Sequence, residues 1–247
     1  MEEKPPPSLP ASTRVILSLL LPAIGAMLFT FIVTGRPTFG DRQPGLVALQ
    51  LAGVGLVSWL LGWRWYGLKD LGLRFGRPLS AGAGFAVLAW IAFLIVRLVT
   101  IRGEEFHEGV PFLYLLIFEA FCTQLWIFGL FFRSVADWRG PLTAAVSSGL
   151  LFGATALLLF QEAFAITAGS VLFFAIWGIL YGIIRLRTGS FLGVAIVQSL
   201  QSWSTWQLFK VEQPDPIELR NFYLAISLLY ALYIWRLWPK EEEDYRV

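Results

Sequence analysis

Few residues in this chain are of the types that do chemistry, and their spacing narrows what that chemistry can be. The one histidine, His107, stands in Gly103-Glu104-Glu105-Phe106-His107-Glu108-Gly109. His107-Glu108 opens like a zincin motif, but that motif needs a second His four residues after the first, and position 111 is Pro. What is left is a loop of three carboxylates and an imidazole. It could at most hold a divalent cation loosely, and it reads more simply as a solvated acidic loop. No metal and no cofactor is therefore expected. Cys122 has no His near it and reads as a small packing residue. Ser-His nucleophilic catalysis has no His inside the apolar runs to work with, and the glycines form no phosphate-binding loop.

Inside those runs the ionisable residues reduce to Arg97 and Glu119. Each lies several residues within its run, and a short loop joins the two runs into a hairpin. They form a candidate ion pair, with an outward-reaching Arg97 beside a protonated Glu119 as the other reading. The neutral polar set is Thr123, Gln124, Thr155, Gln198, Ser199, Gln201, Ser202 and Ser204. Groups of this kind normally hydrogen-bond between helices, at under about 1–2 kcal/mol each.

Composition sets the elements that must position these residues. Of 247 residues, 57% are hydrophobic and only 15% charged, with a net charge of +2. Mean hydropathy is +0.67. Soluble domains run at roughly 45–50% apolar and about 25% charged, so a water-soluble globule is excluded. So are a disordered chain, a disulfide scaffold and a nucleic-acid binder. The expected fold is all-α, a polytopic transmembrane helix bundle whose first partner is the lipid bilayer. A crossing needs about 20 apolar residues, and eight such runs are present: 14–35, 45–63, 79–100, 111–133, 142–160, 168–186, 189–209 and 221–238.

The first run is too long for a signal-peptide core and is expected to stay as an anchor. Thirteen of the 19 Lys and Arg residues fall on the side that holds both termini and the second, fourth and sixth connections, which makes that side cytoplasmic. The chain divides into an N-terminal cytoplasmic tail (1–13), a single transmembrane domain (14–239) and a C-terminal cytoplasmic tail (240–247), both tails solvated. Residues 65–77 mix apolar and basic side chains, and read either as a segment lying on the membrane surface or as a solvated linker.

The fourth to seventh runs carry a further pattern. Thr123-Gln124-Leu125-Trp126-Ile127-Phe128-Gly129, the stretch from Gly140-Pro141-Leu142-Thr143 to Phe152-Gly153-Ala154-Thr155-Ala156, and Trp177-Gly178 through Arg187-Thr188-Gly189-Ser190 to Gln198-Ser199-Leu200-Gln201-Ser202 together resemble the CPBP family. That family, also called Abi or CAAX-protease-like, comprises glutamic intramembrane endopeptidases and bacteriocin-processing proteins. Leu71-Gly72-Leu73-Arg74 is similar to it as well, so the likeness covers about residues 65–205. The family's chemistry uses a Glu-Glu pair, an Arg, two His and an Asn to activate water and support an oxyanion. By the resemblance these fall on Thr123 and Gln124, Phe128, Ala156, Gln198 and Ser202, and none matches. The glycines at 129, 178, 182 and 189, with Phe152 and Ser190, do match.

A general base must titrate near working pH, which Thr, Gln, Ala and Ser cannot do, and losing such a set removes essentially all rate. No catalytic residue is therefore assigned. The expectation is a degenerate CPBP-like protein of the bacterial cytoplasmic membrane: an inactive pseudoenzyme acting as scaffold, chaperone or accessory subunit. Thr123, Gln124, Phe128, Phe152, Gln198 and Ser202 would form a neutral pocket for a membrane-protein partner, a hydrophobic peptide or a lipid. The alternatives are an endopeptidase using Glu119 in a non-standard site, and a small-molecule or lipid transporter. Against the transporter stand the lack of broken spans and of charge within them.

Overall fold

The computed structural model describes residues 9–36, 44–102, 111–160, 167–205 and 215–247. Every long apolar run becomes a helix, because backbone N–H and C=O groups in hydrocarbon must be paired within their own segment. The helices are α1 (Ala11–Thr34), α2 (Pro44–Trp65), α3 (Arg77–Thr100), α4 (Phe112–Arg139), α5 (Pro141–Phe160), α6 (Ala168–Thr188), α7 (Leu192–Trp203) and α8 (Pro216–Leu237). No strand occurs among the described residues. The protein is an all-α, multi-pass membrane bundle.

Among the described residues, seven helices, not the eight expected, are long and apolar enough to cross a membrane. The run 189–209 is described only as far as residue 205: α7 covers Leu192–Trp203, and a π-helical turn continues over 204–205. At its start the chain turns at Gly189, and Ser190 Oγ donates to the Arg74 carbonyl at 2.8 Å before the helix begins at Leu192. The other end of α7 reaches the start of α4, where Trp203 and Phe112 stack edge to face at 6.5 Å. α7 thus runs from the end of the bundle that holds Arg74 toward the start of α4.

Small residues let the helix axes close up. Gly149 and Gly153 of α5 face Gly178 of α6, and Gly182 of α6 faces Ala145 of α5. A Cβ built on Gly178 would lie 2.8 Å from the Gly149 carbonyl carbon and 2.9 Å from the Gly153 amide nitrogen. The α6–α8–α3 side is aromatic: Phe93, Phe173, Trp177, Phe222, Tyr223 and Tyr230 stack with centroids 5.2–6.3 Å apart. The α6 N-terminus is closed by a capping box between Thr167 and Ser170, and the α8 N-terminus by Asp215.

One end of the bundle is basic and tied by polar contacts. Arg14 Nη1 donates to Asp137 Oδ2 at 2.7 Å and to the Tyr66 hydroxyl at 2.6 Å, while Arg133 pairs with the other Asp137 oxygen at 3.1 Å. Burial pushes the Tyr66 phenol above its ordinary pKa, so it remains a neutral donor and acceptor, also bonded to Ser134. The C-terminal segment, expected to be a solvated tail, folds onto this same end. The Arg246 amide donates to the Leu186 carbonyl at 2.9 Å, and Asp244 pairs with Arg187 at 3.3 Å. The start of α1 and the C-terminal segment thus lie at the basic end.

Between α2 and α3, residues 66–76 form turns and irregular chain, and the segment dips inward to bury Leu71 completely.

Candidate functional site

The polar residues singled out in the sequence meet along α4 and α7. Much of α4 is π-helical, over Leu115–Cys122 and again over Leu125–Phe131. In an ordinary α-helix, residues five apart point about 140° away from each other. The i→i+5 repeat of a π-helix brings them back toward one face, and such segments are often found at functional sites. Glu119 and Gln124, five apart on α4, meet Ser202 and Gln198, four apart on the antiparallel α7. Gln124 Nε2 donates to Gln198 Oε1 at 2.6 Å, with both side chains fully buried. One turn nearer the start of α4, the Ser202 hydroxyl donates to the buried Glu119 carboxyl. The two rungs join the helices at matched heights.

Further along α7 the same polar face continues. Gln201 accepts from the Tyr181 hydroxyl of α6 at 3.3 Å, and Ser204 accepts from Trp90 of α3 at 3.1 Å. Against the Gln pair stands an aromatic wall. Phe128, one turn from Gln124, lies 5.6 Å from Phe152, which also contacts Trp177 and Tyr181 at 5.2 and 5.4 Å. Ala156 is buried one turn beyond Phe152 on α5. Thr123 Oγ1, Gln124 Oε1 and Gln198 Nε2 are buried without a hydrogen-bond partner in the protein.

The six positions Thr123, Gln124, Phe128, Ala156, Gln198 and Ser202 are therefore all buried. A direct bond joins Gln124 to Gln198, the Phe128–Phe152 contact links α4 to α5, and Ala156 shares the α5 face of Phe152. Glu119 meets the Ser202 hydroxyl, whereas Arg97 is buried in the last turn of α3. Cys122 is buried against Gly55 of α2. His107 and Glu104, Glu105 and Glu108 lie outside the described residues. Among the described residues, no group of three His, Cys, Asp or Glu side chains is placed to hold a metal. Chemically, the site offers amide and hydroxyl hydrogen bonding, one carboxyl and a wall of rings.

Two functional-looking residues are not evident from the sequence. Arg185, which reads as a charge at a helix end, is wholly buried, and its Nε donates to the Phe128 carbonyl at 3.1 Å. Arg14, at the edge of the first apolar run, is a buried partner of Asp137. The bond of Ser202 to Glu119 depends on the π-helical register, which leaves no mark in hydropathy.

Fold and site together define a multi-pass helical membrane protein with a polar rib buried at its centre. No protein-family model matches the chain, and no curated protein matches it.

Proposed function

We propose that this protein is a CPBP-like pseudoenzyme of the bacterial cytoplasmic membrane, proteolytically inactive, which serves as a scaffold, chaperone or accessory subunit of a membrane complex. The observation that carries this reading is the Gln124–Gln198 bond at 2.6 Å. It joins two positions that the resemblance assigns to a catalytic Glu and His, and both are occupied by amides linked through one hydrogen bond. Two amides move no proton near neutral pH, so water between them is not activated. The aromatic wall of Phe128 and Phe152 supports a role in which an apolar partner segment or lipid tail is held rather than cut.

A second reading is favoured by one contact. Glu119 reaches Ser202, the position assigned to the supporting Asn, so a carboxyl does stand at this constellation. An endopeptidase using Glu119 would rest on it.

The experiment is a turnover assay of purified protein on hydrophobic and prenylated peptides, with Glu119→Gln in parallel. The pseudoenzyme reading expects no cleavage by either protein. Cleavage by the wild type that Glu119→Gln abolishes overturns it in favour of the endopeptidase.

A further inference from the structure

The basic end of the bundle holds more guanidinium than carboxylate. Asp137 serves both Arg14 and Arg133, at 2.7 and 3.1 Å, and Asp70 pairs with Arg74 at 3.7 Å. Arg185, the most deeply buried of the four arginines, has no carboxylate. Its Nε is used on the Phe128 carbonyl, and its planar head lies 4.8 Å over the Phe132 ring. Both terminal nitrogens, Nη1 and Nη2, are buried with no hydrogen-bond partner, and Nε of Arg133 is unpaired as well. The charged groups that act on Arg185 are Arg74, Arg133 and Asp70. A buried guanidinium with an empty fork is costly unless something anionic fills it. The bidentate fork of Arg matches the paired oxygens of a phosphate or a carboxylate, and at the level of the headgroups of a membrane the anion on offer is phosphate.

The cover over this fork is the turn at 67–76. Leu71 is fully buried in it, and Gly72, at φ +94°, lies so close that a Cβ there would sit 2.7 Å from Cζ, Nε and Nη2 of Arg185. Gly67 and Gly76 also have positive φ, so the turn is bounded on both sides by residues that rotate at little steric cost. In the structure the turn is held down by the Phe191 amide, which donates to the Gly72 carbonyl at 3.3 Å, and by the Ser190 hydroxyl, which donates to the Arg74 carbonyl at 2.8 Å. The turn follows the last turn of α2 and precedes α3, at the level where helix ends meet headgroups.

We propose that Arg185, flanked by Arg74 and Arg133, binds a phosphate group at the basic end of the bundle, admitted when the 67–76 turn lifts away. The phosphate belongs either to an anionic lipid headgroup or to a free phosphate ion. This site is separate from the Gln124–Gln198 rib, and its failure would leave the reading of that rib untouched.

The test uses full-length protein in a neutral detergent, followed by thermal unfolding and native mass spectrometry. The probes are inorganic phosphate, phosphatidylglycerol, and diacylglycerol as a lipid without phosphate. Wild type is compared with Arg185→Lys, Arg185→Gln and Arg74→Gln. The expected result is a rise in Tm and retention of ligand with phosphatidylglycerol but not with diacylglycerol. Apparent affinity falls about tenfold or more in Arg185→Lys, which keeps the charge and loses the fork. If phosphate alone reproduces the effect, the free ion is the ligand; if only phosphatidylglycerol does, the ligand is the lipid headgroup. The proposal is overturned if neither phosphate-bearing probe binds the wild type. It is equally overturned if the probes bind the wild type and the variants alike. Should Arg185→Gln fail to fold, Arg185→Lys and Arg74→Gln decide the matter on the same criterion.

Discussion

Replacing Gln124 or Gln198 by Leu tests whether the polar rib is a coupled pair, and the bookkeeping can be done atom by atom. The wild type has one bond of 2.6 Å and two buried orphans, Gln124 Oε1 and Gln198 Nε2. Gln124→Leu removes the bond and one orphan but leaves both ends of Gln198 unpaired. The orphan count stays the same, so the cost is close to that of the bond, about 0.6–1.7 kcal/mol inside a bilayer protein. Gln198→Leu mirrors it. The double variant loses the bond but removes every orphan, each of which costs about 1–3 kcal/mol when buried. It is therefore expected to be at least as stable as the wild type, with a coupling energy of about 2 kcal/mol or more. The assay is reversible unfolding in mixed micelles of a mild detergent and sodium dodecyl sulfate, run as a double-mutant cycle. Single effects that add to within about 0.5 kcal/mol would refute the pairing.

Other predictions follow from contacts elsewhere. Gly178→Ala brings a Cβ against backbone atoms of Gly149 and Gly153 that cannot swing aside; a loss of about 1–3 kcal/mol is expected in the same unfolding assay, whereas Gly84→Ala, which has open space, is expected to leave stability unchanged or slightly raised. Asp137→Asn leaves Arg14 and Arg133 facing each other without a carboxylate; unfolding should show a loss of about 1–3 kcal/mol, less than for a fully buried pair because the carboxylate is about a quarter exposed. Asp244 is held below the ordinary carboxylate pKa first by the Lys240 amide and then by Arg187. A depressed folded-state pKa makes attachment of the C-terminal segment complete above the free carboxylate range, about pH 4, and lost as pH falls below it. A nitroxide on Glu243→Cys should gain mobility on acidification, and already be mobile at neutral pH when Asp244→Ala is added.

Helices were legible in the sequence wherever a run of about 20 apolar residues was bounded by charge or Pro, because hydropathy alone settles that question. Three features were not legible, each for its own reason. The register of α4 depends on π-helical hydrogen bonding, which changes which residues share a face without altering composition. The start of α7 at Leu192 follows a tertiary contact of Ser190 with Arg74, 116 residues away in sequence. Arg185 reads as a helix-end charge because a hydropathy scan assigns charge to the nearest loop. Only packing shows that the Gly72 turn closes over it. Candidate site residues are legible by type and position, but their partners are fixed by long-range geometry: the hydroxyl that Glu119 meets belongs to Ser202, 83 residues away.

The polar helix α7 also bears on how the protein is made. It carries Gln198, Ser199, Gln201 and Ser202, and buried amides and hydroxyls lower the tendency of such a segment to partition into lipid by itself. Its hydrogen-bond partners come from α3, α4 and α6, all of which are synthesised earlier. Biogenesis then has an order: the flanking helices insert first and α7 is recruited into a slot that they have already built. Truncation of the nascent chain before residue 192 should therefore leave a bundle with its central polar groups open, a state that quality-control machinery would recognise.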